Sequence, residues 1–300
     1  MSEYDWRAEQ VPDQTGRVAI VTGSNSGIGF ETARVLADKG ATVIMACRNL
    51  DKANPKAEEI RAAHPGCDVE VMRLDLSNLD SVRQFADEFR AKHSRLDLLI
   101  NNAGIMVPPY GTTAQGFETQ FGVNHLGHFA LTGLLLDLIV NTPGARIVTV
   151  SSVAHYMGKI DFSDLNWERG YKAQAAYGQS KLANLLFTYE LQRRLAAAEK
   201  DTLAVAAHPG WTSTNLQEHA PSVKFMNRFF GQEPLMGALP TLYAATESDV
   251  KCGEYYGPSG LLEMNGPPKR VKSNKRSRDE NVAERLWNVS QDLTGVHVPI

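Results

Sequence analysis

The chain is poor in cysteine, nearly balanced in charge and without a long apolar run. Its three cysteines, Cys47, Cys67 and Cys252, are scattered, which excludes a disulfide framework and points to a reducing compartment. A formal charge of −3 gives no electrostatic reason to expect nucleic acid or an acidic membrane as a partner. The opening residues, MSEYDWRAEQVPDQTG, are polar and carry acids, so they lack the apolar core of a signal peptide or anchor. The most apolar stretch, HFALTGLLLDLIV, is interrupted by Thr132, Gly133 and Asp137 and is too short to span a bilayer. Internal repeats and low-complexity segments are missing too. The expectation is a cytoplasmic protein with neither a membrane nor a nucleic acid as partner.

What is present is ordinary globular composition, 43% hydrophobic and 22% charged over 300 residues, enough to bury one large core. Short β-branched runs alternate with helical patterns. The strands read as Arg17–Thr22, Ala41–Cys47, Asp68–Asp75, Arg95–Asn102, Ala145–Ser152 and Thr202–Gly210. Helices are expected over Gly27–Lys39, Lys56–Ala63, Leu79–Lys92 and Glu280–Thr294. Near-continuous apolar strands separated by helices imply right-handed crossovers and a sheet covered on both faces. The fold class is therefore α/β: a single-domain, doubly wound parallel sheet of Rossmann type, with about seven strands in the order 3-2-1-4-5-6-7 and helices on both faces. One domain spans 1–300. Residues 211–240 fall after the sixth strand, where an insert would lie over a ligand site; they read as a substrate lid or as a small helical excursion packed on the core. Residues 261–300 form a C-terminal extension.

After the first strand comes TGSNSGIG, with Gly23, Gly27 and Gly29 at the strand-to-helix turn. Glycine there permits a tight turn and close approach of backbone to a phosphate, which the free N–H groups of the following helix would face. In dinucleotide folds an acid at the end of the second strand holds the adenosine ribose. Here that strand ends in Arg48, 19 residues after Gly29, and an arginine suits a 2′-phosphate. NADP(H) is thus favoured; Asp51, three residues on, keeps NAD(H) possible. Further along, AYGQSKLANLLF sets Tyr177 and Lys181 four apart, about 5–6 Å apart at Cβ on one face of a helix.

TGSNSGIG, Asp75, NNAG from Asn101 to Gly104, Asn124 in VNHLGHF, Ser152 in VTVSS, YGQSK and PGWTST from Pro209 to Thr214 occur in order. This pattern resembles the short-chain dehydrogenase/reductase family over roughly residues 17–260, and the wording of MACRN, NNAGIM and VNHLGHF resembles its retinol-dehydrogenase-like branch. The resemblance implies a catalytic set of Asn124, Ser152, Tyr177 and Lys181. Tyr177 would be the acid/base, its pKa lowered by Lys181; Ser152, rather than Ser151, would hold the substrate oxygen; Asn124 would bind a water linking Lys181 to solvent. The cofactor would be held by Gly23, Ser24, Asn25, Ser26, Gly27, Ile28, Gly29, Arg48, Asp75, Leu76, Asn102, Ala103, Gly104, Tyr177, Lys181, Pro209, Gly210 and Thr212. The implied activity is carbonyl–alcohol interconversion on a small or medium apolar molecule by an NADP(H)-preferring enzyme, in a homodimer or homotetramer with the helices before Ser152 and around Tyr177 as interfaces. Alternatives are a C=C reductase on the same scaffold and a non-catalytic dinucleotide-binding sensor or scaffold.

Several signals carry less weight. His125 and His128 have no third ligand nearby, so no metal is expected. His155 and His208 lie near site positions without a carboxylate partner. PPKRVKSNKRSRDE, with six basic residues, reads as a solvated loop before the final helix.

Overall fold

The structure, a computed structural model, describes residues 5–212, 232–298 and 300. Its strands are β1 Val18–Thr22, β2 Thr42–Cys47, β3 Val69–Arg73, β4 Leu98–Asn101, β5 Arg146–Val150, β6 Leu203–Ala207, β7 Tyr255–Pro258 and β8 Pro268–Arg270. They form one sheet in the order β3-β2-β1-β4-β5-β6-β7-β8. Every pairing through β7 is parallel, and β8 runs antiparallel to β7. The longer helices are α1 Gly27–Asp38, α2 Leu50–Ala63, α3 Leu79–Lys92, α4 Gly127–Val140, α5 Ala173–Ala197, α6 Pro234–Thr246 and α7 Glu280–Thr294.

Two apolar layers sandwich the sheet because strand side chains alternate. Ile20, Ile44, Leu99 and Ile147 point to the layer that holds Phe85, Phe89, Phe129 and Trp287. Their neighbours Val21, Met45, Ile100 and Val148 point to the other, with Phe30, Leu36, Ile60 and Leu242. Each such side chain stabilises the fold by roughly 1.5–3 kcal/mol. With both faces sealed, the carboxyl ends of the strands are left as the edge where polar groups gather.

Four expectations meet the structure; three need correction, and that of a lid falls mostly outside the described residues. First, α2 begins at Leu50 and not at Lys56: Asn49 caps it by accepting from Lys52 N at 3.0 Å, and the helix tolerates Pro55 in its second turn at the loss of one backbone bond. Second, the basic stretch is not a solvated loop. It supplies the additional strand β8, and Asn274 caps a short 3₁₀ turn, Lys275–Arg278, by accepting from Ser277 N at 2.9 Å. Its charges are used locally: Arg270 pairs with Glu254, Arg278 lies over the Tyr189 ring and Arg276 donates to Gly158 O. Third, of the expected lid at 211–240, residues 213–231 lie outside the described residues, and Pro234 onward forms α6, a core helix packed on α1. Fourth, the apolar stretch before β5 is longer than it reads. Thr119–Val140, including a π-helical segment Gly122–Leu126, is 22 residues long and apolar enough to cross a membrane, but it is two-thirds buried inside the protein as a core element.

Helix α7 is amphipathic, with Ala283, Leu286, Trp287 and Ser290 on its buried face. It packs on α4 and α5, the helices expected as subunit interfaces, and so covers part of both within one chain. Trp287 stacks on Phe187, meets Phe129 edge-on, and is capped by the Arg194 guanidinium at 4.6 Å. Trp287→Ala should therefore lower the unfolding free energy by about 3–5 kcal/mol. Leu261→Ala, at a position 82% exposed, should change it by less than about 0.5 kcal/mol. Equilibrium denaturation in urea measures both.

Candidate active site

A cavity of about 990 Å³ runs along the carboxyl ends of the strands. The turn after β1 forms its floor at one end. Gly23 adopts φ +67°, and a Cβ on Gly29 would sit 2.5 Å from Asn102 Nδ2 and 2.6 Å from Gly23 O, so only glycine lets the turn, α1 and the segment after β4 close together. The Thr22 hydroxyl accepts the N–H groups of Asn102 and Ala103 at 3.0 and 2.9 Å. It also lies 2.9 Å from His128 Nε2, and His128 Nδ1 lies 3.0 Å from Asn124 O. A carbonyl only accepts, so Nδ1 carries the proton and Nε2 accepts from Thr22. Burial pushes the His128 pKa down to about 4, and the nearby Lys181 charge adds to the fall, so this tautomer is neutral at physiological pH.

Nearly all the sequence-derived site residues line this cavity: Gly23, Asn25 to Gly29, Arg48, Asp75, Leu76, Asn102 to Gly104, Ser152, Tyr177, Lys181, Pro209, Gly210 and Thr212. Two do not. Ser24 is turned inward, its Oγ donating to Val21 O at 2.9 Å beneath the turn. Asn124 lies behind the wall, fully buried, with Oδ1 accepting from Ile105 N at 2.9 Å and Nδ2 donating to Ile105 O and Ser180 Oγ at 3.0 and 2.9 Å. Its side chain is spent holding backbone in place, and its carbonyl already takes the His128 bond. This gives Asn124 a positioning role, and the second lone pair of its carbonyl stays open to a donor such as the expected water. The choice between the serines rests on direction: Ser151 Oγ donates to Lys181 O at 2.8 Å, whereas Ser152, whose Oγ accepts from Ala154 N at 3.2 Å, lies close enough to Tyr177 to act on its pKa.

The electrostatics of the pair differ from expectation. Burial pushes the Tyr177 pKa up to about 12, against the opposing influence of the nearby Ser152 hydroxyl. Burial pushes Lys181 down to about 8. Lys181 Nζ donates to Val150 O at 3.2 Å and lies 5.7 Å from the centre of the Tyr177 ring. In this site desolvation outweighs any lowering of the tyrosine by the lysine. Near neutral pH the tyrosine holds its proton and the lysine is charged.

At the far end, Arg48 and Lys52 line the cavity while Asp51 does not. Sequence reading missed Lys52, because it stands in the first turn of α2, which was expected to begin later. Asp75 Oδ1 is held by the Ser77 N–H and hydroxyl at 3.0 and 2.6 Å. Helix α1 starts at the cavity, and its N-cap Ser26 makes no side-chain cap bond, leaving first-turn N–H groups for an anionic ligand. Glycine cradle, helix terminus and paired cations fit a phosphorylated dinucleotide.

Other histidines act as struts. His208 Nδ1 accepts from Gly210 N at 3.3 Å, so Nε2 donates to Glu263 at 3.1 Å; a carboxylate partner exists after all, 55 residues away in sequence. His155 Nδ1 donates to Ser152 O at 2.7 Å, while Nε2 accepts from Asn274 N at 3.3 Å. His125 is a packed core residue bonded to Ser290, its pKa pushed down to about 3 by burial. No cluster able to hold a metal exists among the described residues.

Residues 17–223 match the family model for the short chain dehydrogenase. Retinol dehydrogenase 12 of Mus musculus is 44% identical over 292 residues, covering 96% of this chain and 88% of that protein. Retinol dehydrogenase 13 of Homo sapiens is 42% identical over 296 residues, covering 95% and 86%. Among solved structures, an uncharacterised protein from Mycobacterium paratuberculosis superposes with a TM-score of 0.83 at 44% identity, covering 99% of this chain and 100% of that one. A short chain dehydrogenase from Shigella flexneri complexed with NADP gives a TM-score of 0.65 at 25% identity, covering 80% and 96%.

Lys181 allows a test of the site's electrostatics independent of turnover. Its folded pKa lies below the ordinary 10.5, so the unfolded chain binds this proton more tightly and the charged lysine destabilises the fold. That penalty is complete below about pH 8 and shrinks as pH rises toward the unfolded value. Asn184 Nδ2 also donates to Val150 O, at 3.0 Å, so removing the lysine leaves no orphaned carbonyl. Lys181→Met should raise the Tm of the protein without added cofactor at pH 7, with a smaller gain at pH 9.5, by scanning fluorimetry. A lower Tm at both pH values would refute the desolvation account.

Proposed function

The chain belongs to the short-chain dehydrogenase family, and on that premise we propose that it is an NADP(H)-preferring oxidoreductase interconverting a carbonyl and an alcohol on a small or medium apolar molecule. The observation that carries this reading is the Ser152–Tyr177–Lys181 arrangement on a cavity whose other end is a glycine turn flanked by two cations. The glycine turn, the first turn of α1, Asp75 and the Asn102–Gly104 segment would hold the dinucleotide, with Arg48 and Lys52 at a 2′-phosphate. When bound, that cofactor supplies or accepts the hydride.

The protein's own part is positional and protonic. Ser152 holds the substrate oxygen. Tyr177, which keeps its proton near neutral pH, passes it to that oxygen as negative charge develops. The ammonium of Lys181 then steadies the tyrosinate that remains. A site resting with a protonated acid favours the reductive direction. At the substrate end, Ile105, Met106, Val107, Val123, Val153 and Met157 form an apolar wall. The charged lining residues, among those described, are Arg48, Lys52, Asp75 and Lys181, none of which belongs to this wall, so an uncharged apolar substrate fits. The relatives named retinol dehydrogenases are in keeping with that substrate class.

Tyr177→Phe should lower turnover of a panel of aldehydes and ketones at least about 100-fold while NADPH still binds with near wild-type Kd by fluorescence titration. Retained turnover would remove the tyrosine from the mechanism. NADPH binding by the wild type with no turnover of any carbonyl or alcohol would favour a non-catalytic dinucleotide-binding protein. Arg48→Ala should raise KM for NADPH about tenfold or more and leave KM for NADH nearly unchanged, with Lys52→Ala a smaller version of the same shift. Equal effects on both cofactors would refute the 2′-phosphate assignment.

A further inference from the structure

Val107 lines the substrate end of the cavity in a left-handed backbone conformation, φ +54°. For a β-branched residue this is an outlier, because the branched Cβ crowds the neighbouring carbonyl. Strain of this kind persists only where the surroundings impose it. Here the restraint is explicit. Gln120 is fully buried, and its Oε1 accepts from Val107 N at 2.8 Å. Its Nε2 donates to Tyr171 Oη and Ala173 O, both at 2.9 Å, and Tyr171 Oη donates in turn to Pro108 O at 3.0 Å. Ala173 is the first residue of α5, the helix that carries Tyr177. The strained residue is thereby fixed to the element bearing the proton donor.

The strain has no return in core packing. Val107 belongs to neither apolar layer and is not among the half-buried residues packed against them, whereas it is one of the residues that line the cavity. Two residues earlier, Ile105 is clamped through both backbone groups by Asn124, so the wall cannot retreat on that side. Val107 is thus a fixed part of the cavity wall.

We propose that Val107 is a specificity-determining residue: held in strain by Gln120 and Tyr171, it favours apolar carbonyl compounds that are slender beside the carbonyl and disfavours those branched or ring-bearing at that end. The inference rests on the carbonyl-reductase reading above and assigns the substrate class of that same site.

The test compares wild type, Val107→Ala and Val107→Gly on a straight-chain aldehyde and an aldehyde of similar hydrophobicity that is branched and ring-bearing beside the carbonyl, with NADPH. Both variants should shift the kcat/KM ratio of bulky to slender substrate upward, by about tenfold for glycine, with NADPH Kd within about twofold of wild type. Glycine accepts the left-handed conformation freely, so Val107→Gly should also keep or raise Tm. A residue kept for packing would lower Tm and affect both substrates alike. A ratio unchanged within twofold in both variants, or a Tm lowered by Val107→Gly, overturns the assignment. A wild type inactive on both aldehydes and on the wider panel overturns the carbonyl-reductase reading, and this assignment with it. An active wild type with unresponsive variants overturns this assignment alone.

Discussion

The Thr22 hydroxyl takes the N–H groups of Asn102 and Ala103 and gives its proton to His128, whose other ring nitrogen holds the carbonyl of Asn124. Three separate stretches of chain meet through that one oxygen: the end of β1, the segment after β4, and the π-helical segment leading into α4. Each brings something the others lack. The first carries the glycine turn, the second borders the cavity beside it, and the third fixes Ile105 and Ser180 through the Asn124 side chain. Ser180 is one residue from Lys181, so the hydroxyl beneath the glycine turn is connected by bonds to the helix that carries Tyr177. The network needs a neutral His128, and burial next to a charged lysine keeps it so.

Burial is also what makes the site costly and useful. Tyr177 and Lys181 are both forced toward their neutral forms, which raises the energy of a charged lysine inside the fold and holds the tyrosine protonated. Local neighbours do not cancel this: the lysine finds a carbonyl, Val150 O, and the tyrosine finds a serine. A group that carries charge at the expense of stability is the ordinary sign of a functional position. Val107 shows the same economy in backbone form, strain without any gain in core packing.

Much of this was legible in sequence, for reasons that differ from place to place. β1, β2, β5 and β6 are short apolar runs between turn signals, and right-handed crossovers then leave few sheet orders open. TGSNSGIG and YGQSK could be placed because each sits at a fixed point of that frame. The failures share a cause, which is that side-chain direction and long-range partners are not written locally. Ser24 and Ser26 look equivalent, yet one turns under the loop and the other stands at the N-cap position of α1 without a side-chain cap bond, on the cavity. The Asn124 side chain holds backbone and a serine in place, and those partners lie 19 and 56 residues away. β8 is Pro-Lys-Arg, with no apolar alternation, and it pairs because the chain after β7 turns back on itself. Lys52 was hidden by a proline, since Pro55 argues against the helix that Asn49 caps.

The C-terminal extension changes what counts as the catalytic unit. The family match ends at residue 223, yet the loop after β5, which carries Ser152, is fastened from beyond it. Asn274 donates through its backbone to His155 Nε2 and through its side chain to His155 O, and Arg276 donates to Gly158 O. The same imidazole gives its Nδ1 proton to the Ser152 carbonyl. An imidazole that donates at one nitrogen and accepts at the other must be neutral, and burial lowers the His155 pKa accordingly. The serine that faces Tyr177 is thus positioned from behind by a segment whose sequence shows only charge. In this chain the basic stretch belongs to the architecture of the site, as a strap whose working atoms are the Asn274 side chain, its backbone amide and the Arg276 guanidinium.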